Sequence, residues 1–186
     1  YIDAMATDAA LSWSGNADLA DRIVYIAGPK VYQELFRLLA AASIHNLPVP
    51  QSGRLGHTEA LPPRELARRV RASLDASRAA MKGGRAVLLY PEGARTRTGR
   101  MGSFIQATRR YLEGADFLVP AAIAGTERAM PVDGEVLEPS SLTLSFGPPV
   151  PLAGVDPREA LTAAHLAIED LLPEPLRPDG SAPRLR

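Results

Sequence analysis

Apolar positions along the chain switch between a strand-like run and a helical stripe, and the switches set the predicted elements. Residues 4–11 read as a short helix. Ile23, Val24, Tyr25 and Ile26 make residues 22–27 a strand. After Pro29, the spacing of Val31, Leu35, Leu38, Leu39 and Ala42 predicts a helix over 31–42. Residues 43–49 form a short strand closed by Pro48 and Pro50, and 52–58 is loop. Pro62 and Pro63 open a helix whose stripe is Leu66, Val70, Leu74, Ser77 and Met81, with Arg64, Arg68, Arg71 and Arg78 largely off it.

Lys82-Gly83-Gly84 then leads into 86–90, an apolar β-prone run read as a strand buried on both faces. A helix over 103–113 stops at Gly114, strands follow at 117–124 and 142–146, and Pro157 opens a last helix through Leu171. The alternation predicts an α/β fold: a single layered domain, with a mixed β-sheet flanked by helices. Residues 1–172 form that domain and 173–186 a Pro-rich, irregular tail.

Composition narrows the function classes. The 186 residues, 46% hydrophobic and 23% charged, suffice for one substantial core. Lys plus Arg equals Asp plus Glu at 21 each, which argues against a polyanion binder defined by bulk charge, so no nucleic-acid partner is expected. With no cysteine there is neither a disulfide nor a thiolate metal site, a state compatible with the cytoplasm. No run approaches the ~20 apolar residues of a membrane span, so only peripheral contact with the inner face of a membrane stays open. Neither a dinucleotide nor a P-loop glycine pattern is present, no metal-ligand cluster is visible, and no bound cofactor is expected.

The chemistry concentrates in Leu88-Leu89-Tyr90-Pro91-Glu92-Gly93-Ala94-Arg95. Pro91 ends strand pairing, and the loop beyond it carries a carboxylate, a glycine and a guanidinium. Loops at the carboxyl ends of parallel strands bind ligands, and arginine offers a fork suited to phosphate. Taken alone, Glu92-Gly93-Ala94-Arg95 reads first as a surface Glu–Arg pair on a connecting loop, with part of an unrelated phosphate-binding α/β enzyme as a further reading.

Tyr90-Pro91-Glu92-Gly93-Ala94-Arg95-Thr96, with Thr98, Gly99, Arg100 and Phe104 after it, resembles the Phe-Pro-Glu-Gly-Thr-Arg-Ser block of the glycerophospholipid acyltransferases, the family that includes lysophosphatidic acid (1-acylglycerol-3-phosphate) acyltransferase. Residues 117–123 are similar to that family's later proline-bearing apolar strand. Gly28-Pro29-Lys30 and the apolar stretch 35–42 resemble its segment in which a lysine precedes a helix. The three blocks occur in the family's order.

The resemblance implies a glycerol-3-phosphate acyltransferase-like fold and transfer of a fatty acyl group from acyl-CoA or acyl-carrier protein to a hydroxyl of a lysophospholipid-like acceptor. It implies a His-x-x-x-x-Asp base in which Asp3 is the aspartate and the histidine is expected upstream of residue 1. Asp3 also suits a helix N-cap. His45 and His57 have Pro50 and Pro62 five residues on, whereas His165 and Asp170 match the spacing only formally, after all the other blocks. Glu92, Gly93 and Arg95 are expected at the acceptor site, with Lys30 either assisting the phosphate or solvated. Arg97 and Arg100 extend the positive patch, and Trp13, Tyr25 and Phe36 are expected in the core or an apolar groove. Asn46 stands where the family has a second phosphate-binding arginine, leaving Arg54 as a substitute or the acceptor without a phosphate. A catalytically inactive, lipid-binding relative of these enzymes is the alternative.

Overall fold

The computed structural model describes residues 2–28, 42–49, 61–94, 96, 98–131 and 136–178. Two compact units divide these residues: one holds 11–90, the other 2–10 together with 91–186.

The first unit is built on a parallel sheet of β1 (Ile23–Ala27), β2 (Asn46–Pro48) and β3 (Ala86–Leu88), in the order β2-β1-β3. Tyr25 pairs with Asn46 on one side and with Leu88 on the other. As the central strand, β1 buries Ile23, Val24 and Tyr25. β3 was expected to be buried on both faces, but among the described residues it pairs with β1 alone; Ala86 is exposed and Val87 and Leu88 only half-buried.

Helix α3 (Pro63–Lys82) packs on β2 and β3, burying Leu74 and Ser77 of the predicted stripe together with Ser73, which the stripe did not include. The buried Ser77 hydroxyl donates to the Ser73 carbonyl at 2.9 Å, so the small polar side chain is satisfied within its own helix. The helix ends in a Schellman turn. Gly84, at φ 79°, donates to Met81 O at 2.9 Å, and the Arg85 N–H reaches Ala80 O at 3.0 Å. Before the sheet lie α1 (Ile2–Trp13), whose first residues belong to the second unit, and the single turn α2 (Ala17–Ala20). Trp13, expected in the core or a groove, is 91% exposed because it ends α1 just before the Ser14-Gly15 turn. The expected helix over 31–42 lies almost wholly outside the described residues, as do Lys30, Phe36, Arg54, His57, Arg95 and Arg97.

In the second unit the predicted strand 117–124 is two strands. Pro120 donates no ladder bond, and the chain divides into β4 (Phe117–Leu118) and β5 (Ala121–Ala124). β4 pairs antiparallel with β7 (Val150–Pro151), and β5 with β6 (Thr143–Phe146). Parallel and antiparallel pairing are both present, as a mixed sheet requires, but in three separate sheets among the described residues. The single turn α4 (Thr126–Ala129) follows β5.

Helix α5 (Pro157–Leu171) has the predicted bounds because its start is encoded locally. Asp156 Oδ1 accepts the Arg158 N–H at 2.6 Å, and Pro157 occupies the first turn. Asp156→Ala is expected to destabilise the chain by about 1 kcal/mol in urea unfolding, and no measurable loss would show that the cap is immaterial. α5 packs against β5 and the segment Gln106–Leu112, around a core of Met101, Phe104, Ala122, Leu161 and Leu172. That segment, expected as an α-helix over 103–113, is a 3₁₀ helix. The Thr108 hydroxyl competes for Ile105 O, and the Thr108 N–H closes an i→i+3 bond to the same oxygen at 3.0 Å.

Candidate functional site

Pro91 opens a loop that is fastened at several points within the second unit. Its carbonyl accepts the Ile105 N–H at 2.8 Å, Thr96 Oγ1 donates to Arg100 O at 2.7 Å, and Met101 N–H donates to Leu176 O at 2.8 Å. The Glu92 carboxylate lies inside: Oε2 accepts the Gly102 N–H at 2.5 Å. A charged acceptor on a backbone amide makes a stronger tie than a neutral one. The bond ties the loop to Gly102, ten residues further on.

Two glycines make the closure possible. Gly93 has φ 69°, and a Cβ there would stand 2.3 Å from Ile105 Cδ1. Gly102 lies so close beneath the carboxylate that a Cβ would meet Glu92 Oε2 at 2.9 Å and Thr96 Cγ2 at 3.3 Å. Gly93 was singled out from the sequence; Gly102 was not, because its role depends on a partner ten residues earlier.

Asp3 is in the first turn of α1, one residue inside the helix, where a carboxylate complements the helix dipole. Its backbone carbonyl accepts the buried Thr7 hydroxyl at 2.8 Å. Asp3 belongs to the same compact unit as the Glu92 loop. In the other unit, the Asn46 side chain donates to Ile44 O at 3.1 Å. Among the described residues no group of three or more His, Asp or Glu side chains is placed to hold a metal ion. No described helix is long and apolar enough to cross a membrane.

His165 is a residue whose place the sequence reading missed. It is 2% exposed, and its ring centroid lies 4.6 Å from that of Phe104 with the planes at 56°. The available signal was its position on the apolar face of α5, with Leu161, Ile168 and Leu172 at helical spacing. The formal match to Asp170 brings nothing together, since five residues turn a helix by roughly 140° beyond a full turn.

Burial pushes the His165 imidazole below its ordinary value of 6.5, against the weaker opposing effect of the Glu169 charge. The folded state therefore binds this proton less readily than the unfolded chain. Its stabilising contribution is full above about pH 6.5 and is lost as the pH falls through the lowered folded value. Relative to His165→Gln, the native chain should lose urea resistance between pH 7.5 and pH 5, and parallel profiles would show that this ring does not titrate with unfolding.

No protein-family model matches the chain, and no curated protein is significantly similar in sequence. Among solved structures, the fold is shared with the crystal structure of the 1-acyl-sn-glycerophosphate (LPA) acyltransferase PlsC from Thermotoga maritima. The TM-score is 0.56 at 16% sequence identity, over 81% of this chain and 57% of that one. This chain thus spans under two thirds of that protein's length.

Proposed function

We propose that the chain is an O-acyltransferase that moves a fatty acyl group from an acyl thioester, acyl-CoA or acyl-carrier protein, to a hydroxyl of a lysophospholipid-like acceptor. The observation that carries this reading is the Pro91-Glu92-Gly93 loop, drawn closed by Glu92 on the Gly102 amide, within a fold shared with an LPA acyltransferase.

A hydroxyl is a weak nucleophile near neutral pH, so a base must take its proton during attack on the thioester carbonyl. In this reading that base is a histidine upstream of residue 1, oriented by Asp3 in the tautomer that can accept the proton. The tetrahedral intermediate collapses with loss of the thiolate, and the imidazolium returns its proton to that sulfur. No covalent acyl-enzyme is needed. Arg95 holds the acceptor's phosphate with its planar fork, and Lys30 assists. Gly93 lets the backbone turn at φ 69°.

The acceptor's charge is set by whether Arg54 does what Asn46, a neutral amide, cannot. Comparing acyl transfer to a lysophosphatidate and to a matched monoacylglycerol, in native chain and Arg54→Gln, tests this. If Arg54 compensates, its loss should weaken use of the phosphorylated acceptor selectively, by about ten- to a hundredfold. Strong phosphate preference that survives Arg54→Gln would assign the role to another cation. Binding of either lipid without transfer would favour the alternative of an inactive lipid-binding domain.

A further inference from the structure

Residues 173–177, just past α5, reach back to the Glu92 loop, and a side chain holds them in that shape. Arg177 folds onto the end of α5: its Nε–H donates to Leu172 O at 2.9 Å and an Nη2–H to Asp170 O at 3.4 Å. Carbonyls at a helix C-terminus have no amide of their own helix to accept from, and a cation there suits the dipole. Within the turn that this closes, Leu176 N–H donates to Pro173 O at 2.9 Å and Arg177 N–H to Glu174 O at 3.2 Å. Pro173 and Pro175 fix φ at two of its positions, so the turn has little freedom of its own.

The turn offers one carbonyl to the loop. Leu176 O accepts the Met101 N–H at 2.8 Å, and the oxygen of that same peptide, Arg100 O, accepts the Thr96 hydroxyl at 2.7 Å. The Arg100–Met101 peptide is thus held at both edges. The next peptide along presents the Gly102 N–H to Glu92 Oε2 at 2.5 Å. Side chains reinforce the contact: Leu176 packs against the core that contains Met101, and a Cβ added to Gly99 would stand 3.7 Å from Leu176 Cδ2.

We propose that Arg177 is a positioning residue for the Glu92 loop: by binding the end of α5 it sets the 173–177 turn, whose Leu176 carbonyl orients the Arg100–Met101 peptide and, one peptide on, the amide that holds the Glu92 carboxylate. A helix cap by itself would need only the bonds to Asp170 and Leu172. The bond from Met101 to Leu176 joins segments far apart in the chain, and it is what carries the effect of Arg177 into the loop. The consequence for substrate rests on the reading of this loop as the acceptor site; the linkage from Arg177 through Leu176 and Met101 to Gly102 does not.

The test uses the full chain, ¹⁵N-labelled, with three variants. Arg177→Ala deletes both side-chain bonds, and Arg177→Lys keeps the cation with a single donating group. Asp156→Ala, which frees the other end of α5, is the control for lost helix stability alone. Arg177→Ala should speed exchange of the Met101 and Gly102 amide protons by about three- to tenfold beyond any change at Leu161 and Ala164 in the middle of α5, the effect of about one hydrogen bond. Arg177→Lys should restore part of that protection, and Asp156→Ala should single out neither amide. The acceptor KM should rise in Arg177→Ala and recover in part in Arg177→Lys, with the thioester KM changed less.

Faster exchange at Met101 with Gly102 unchanged overturns the proposal, since the turn would then hold its own neighbour and nothing beyond it. A Gly102 response no larger than that of Leu161 and Ala164 overturns it too, as the mark of a weakened helix. If Arg177→Ala does not fold, the partial loss in Arg177→Lys, read at the same amides, decides. Unchanged Gly102 exchange in a chain that transfers acyl groups normally removes the positioning role and leaves the acceptor-site reading standing. The predicted Gly102 response in a chain that transfers none supports the linkage and removes the acyl-transfer reading instead.

Discussion

Replacing Arg95 by alanine is expected to lower kcat/KM for an anionic lysophospholipid acceptor by about ten- to a hundredfold, the equivalent of one charge-assisted hydrogen bond of roughly 1.5–3 kcal/mol. The loss should fall on the acceptor, with the thioester KM little changed, because the guanidinium is assigned to the acceptor's phosphate. Arg95→Lys should recover only part, since a point charge on a flexible stem does not reproduce a planar fork. Steady-state kinetics with each substrate varied in turn make the distinction. Equal losses for both substrates, with a lower Tm, would make Arg95 a structural member of the loop.

Gly125→Ala is expected to give the largest loss of stability from a single added methyl group. Gly125 is buried at φ 100°, and a Cβ would stand 2.1 Å from the Ser141 carbonyl oxygen and 3.2 Å from Leu142 Cδ2. Backbone movement is blocked on both sides. The Gly125 N–H is tied to Glu127 Oε2 at 2.7 Å, its carbonyl accepts the Ala129 N–H at 3.0 Å, and Ala124 pairs with Thr143 in the β5–β6 ladder. Left-handed backbone and overpacking each cost about 1–3 kcal/mol, so the sum centres on about 4 kcal/mol and Tm should fall by about 8–16 °C. Gly154 is the control: its φ is 75°, but nothing lies within 4 Å of its added Cβ. Gly154→Ala should cost only the backbone term, about 1–2 kcal/mol. Equal thermal shifts in the two variants would mean that the Ser141 contact is relieved at no cost.

How much of this was legible in the sequence depended on how local the cause was. α5 was predicted to the residue because Asp156 and Pro157 set its start chemically. α3 was equally clear, with Pro63 at its first turn and Gly83-Gly84 at its end. The strand β7 and the exposed edge of β3 depend on which strand lies alongside, and no window of sequence carries that information. Residues 106–112 had helical spacing, but competition for the Ile105 carbonyl tightened them into a 3₁₀ helix.

The same distinction applies to the site. Glu92 and Gly93 stood out because Pro91 ends a strand and the block is compact in sequence. Gly102 and His165 did not, although one holds the Glu92 carboxylate and the other packs buried on Phe104, because the partner of each lies far away in the sequence.

The central claim is acyl transfer by a His-Asp base that includes Asp3. Its most direct test is an assay on the chain carried upstream through the His-x-x-x-x-Asp position, with a radiolabelled acyl thioester and a lysophosphatidate, following the diacyl product by chromatography. The account predicts thioester-dependent product in the native chain and a loss of about a hundredfold or more in Asp3→Asn, with folding retained, because a general base and its orienting carboxylate contribute on that scale. Equal product formation by native chain and Asp3→Asn, or a folded native chain that forms none from either acyl-CoA or acyl-carrier protein, would contradict it.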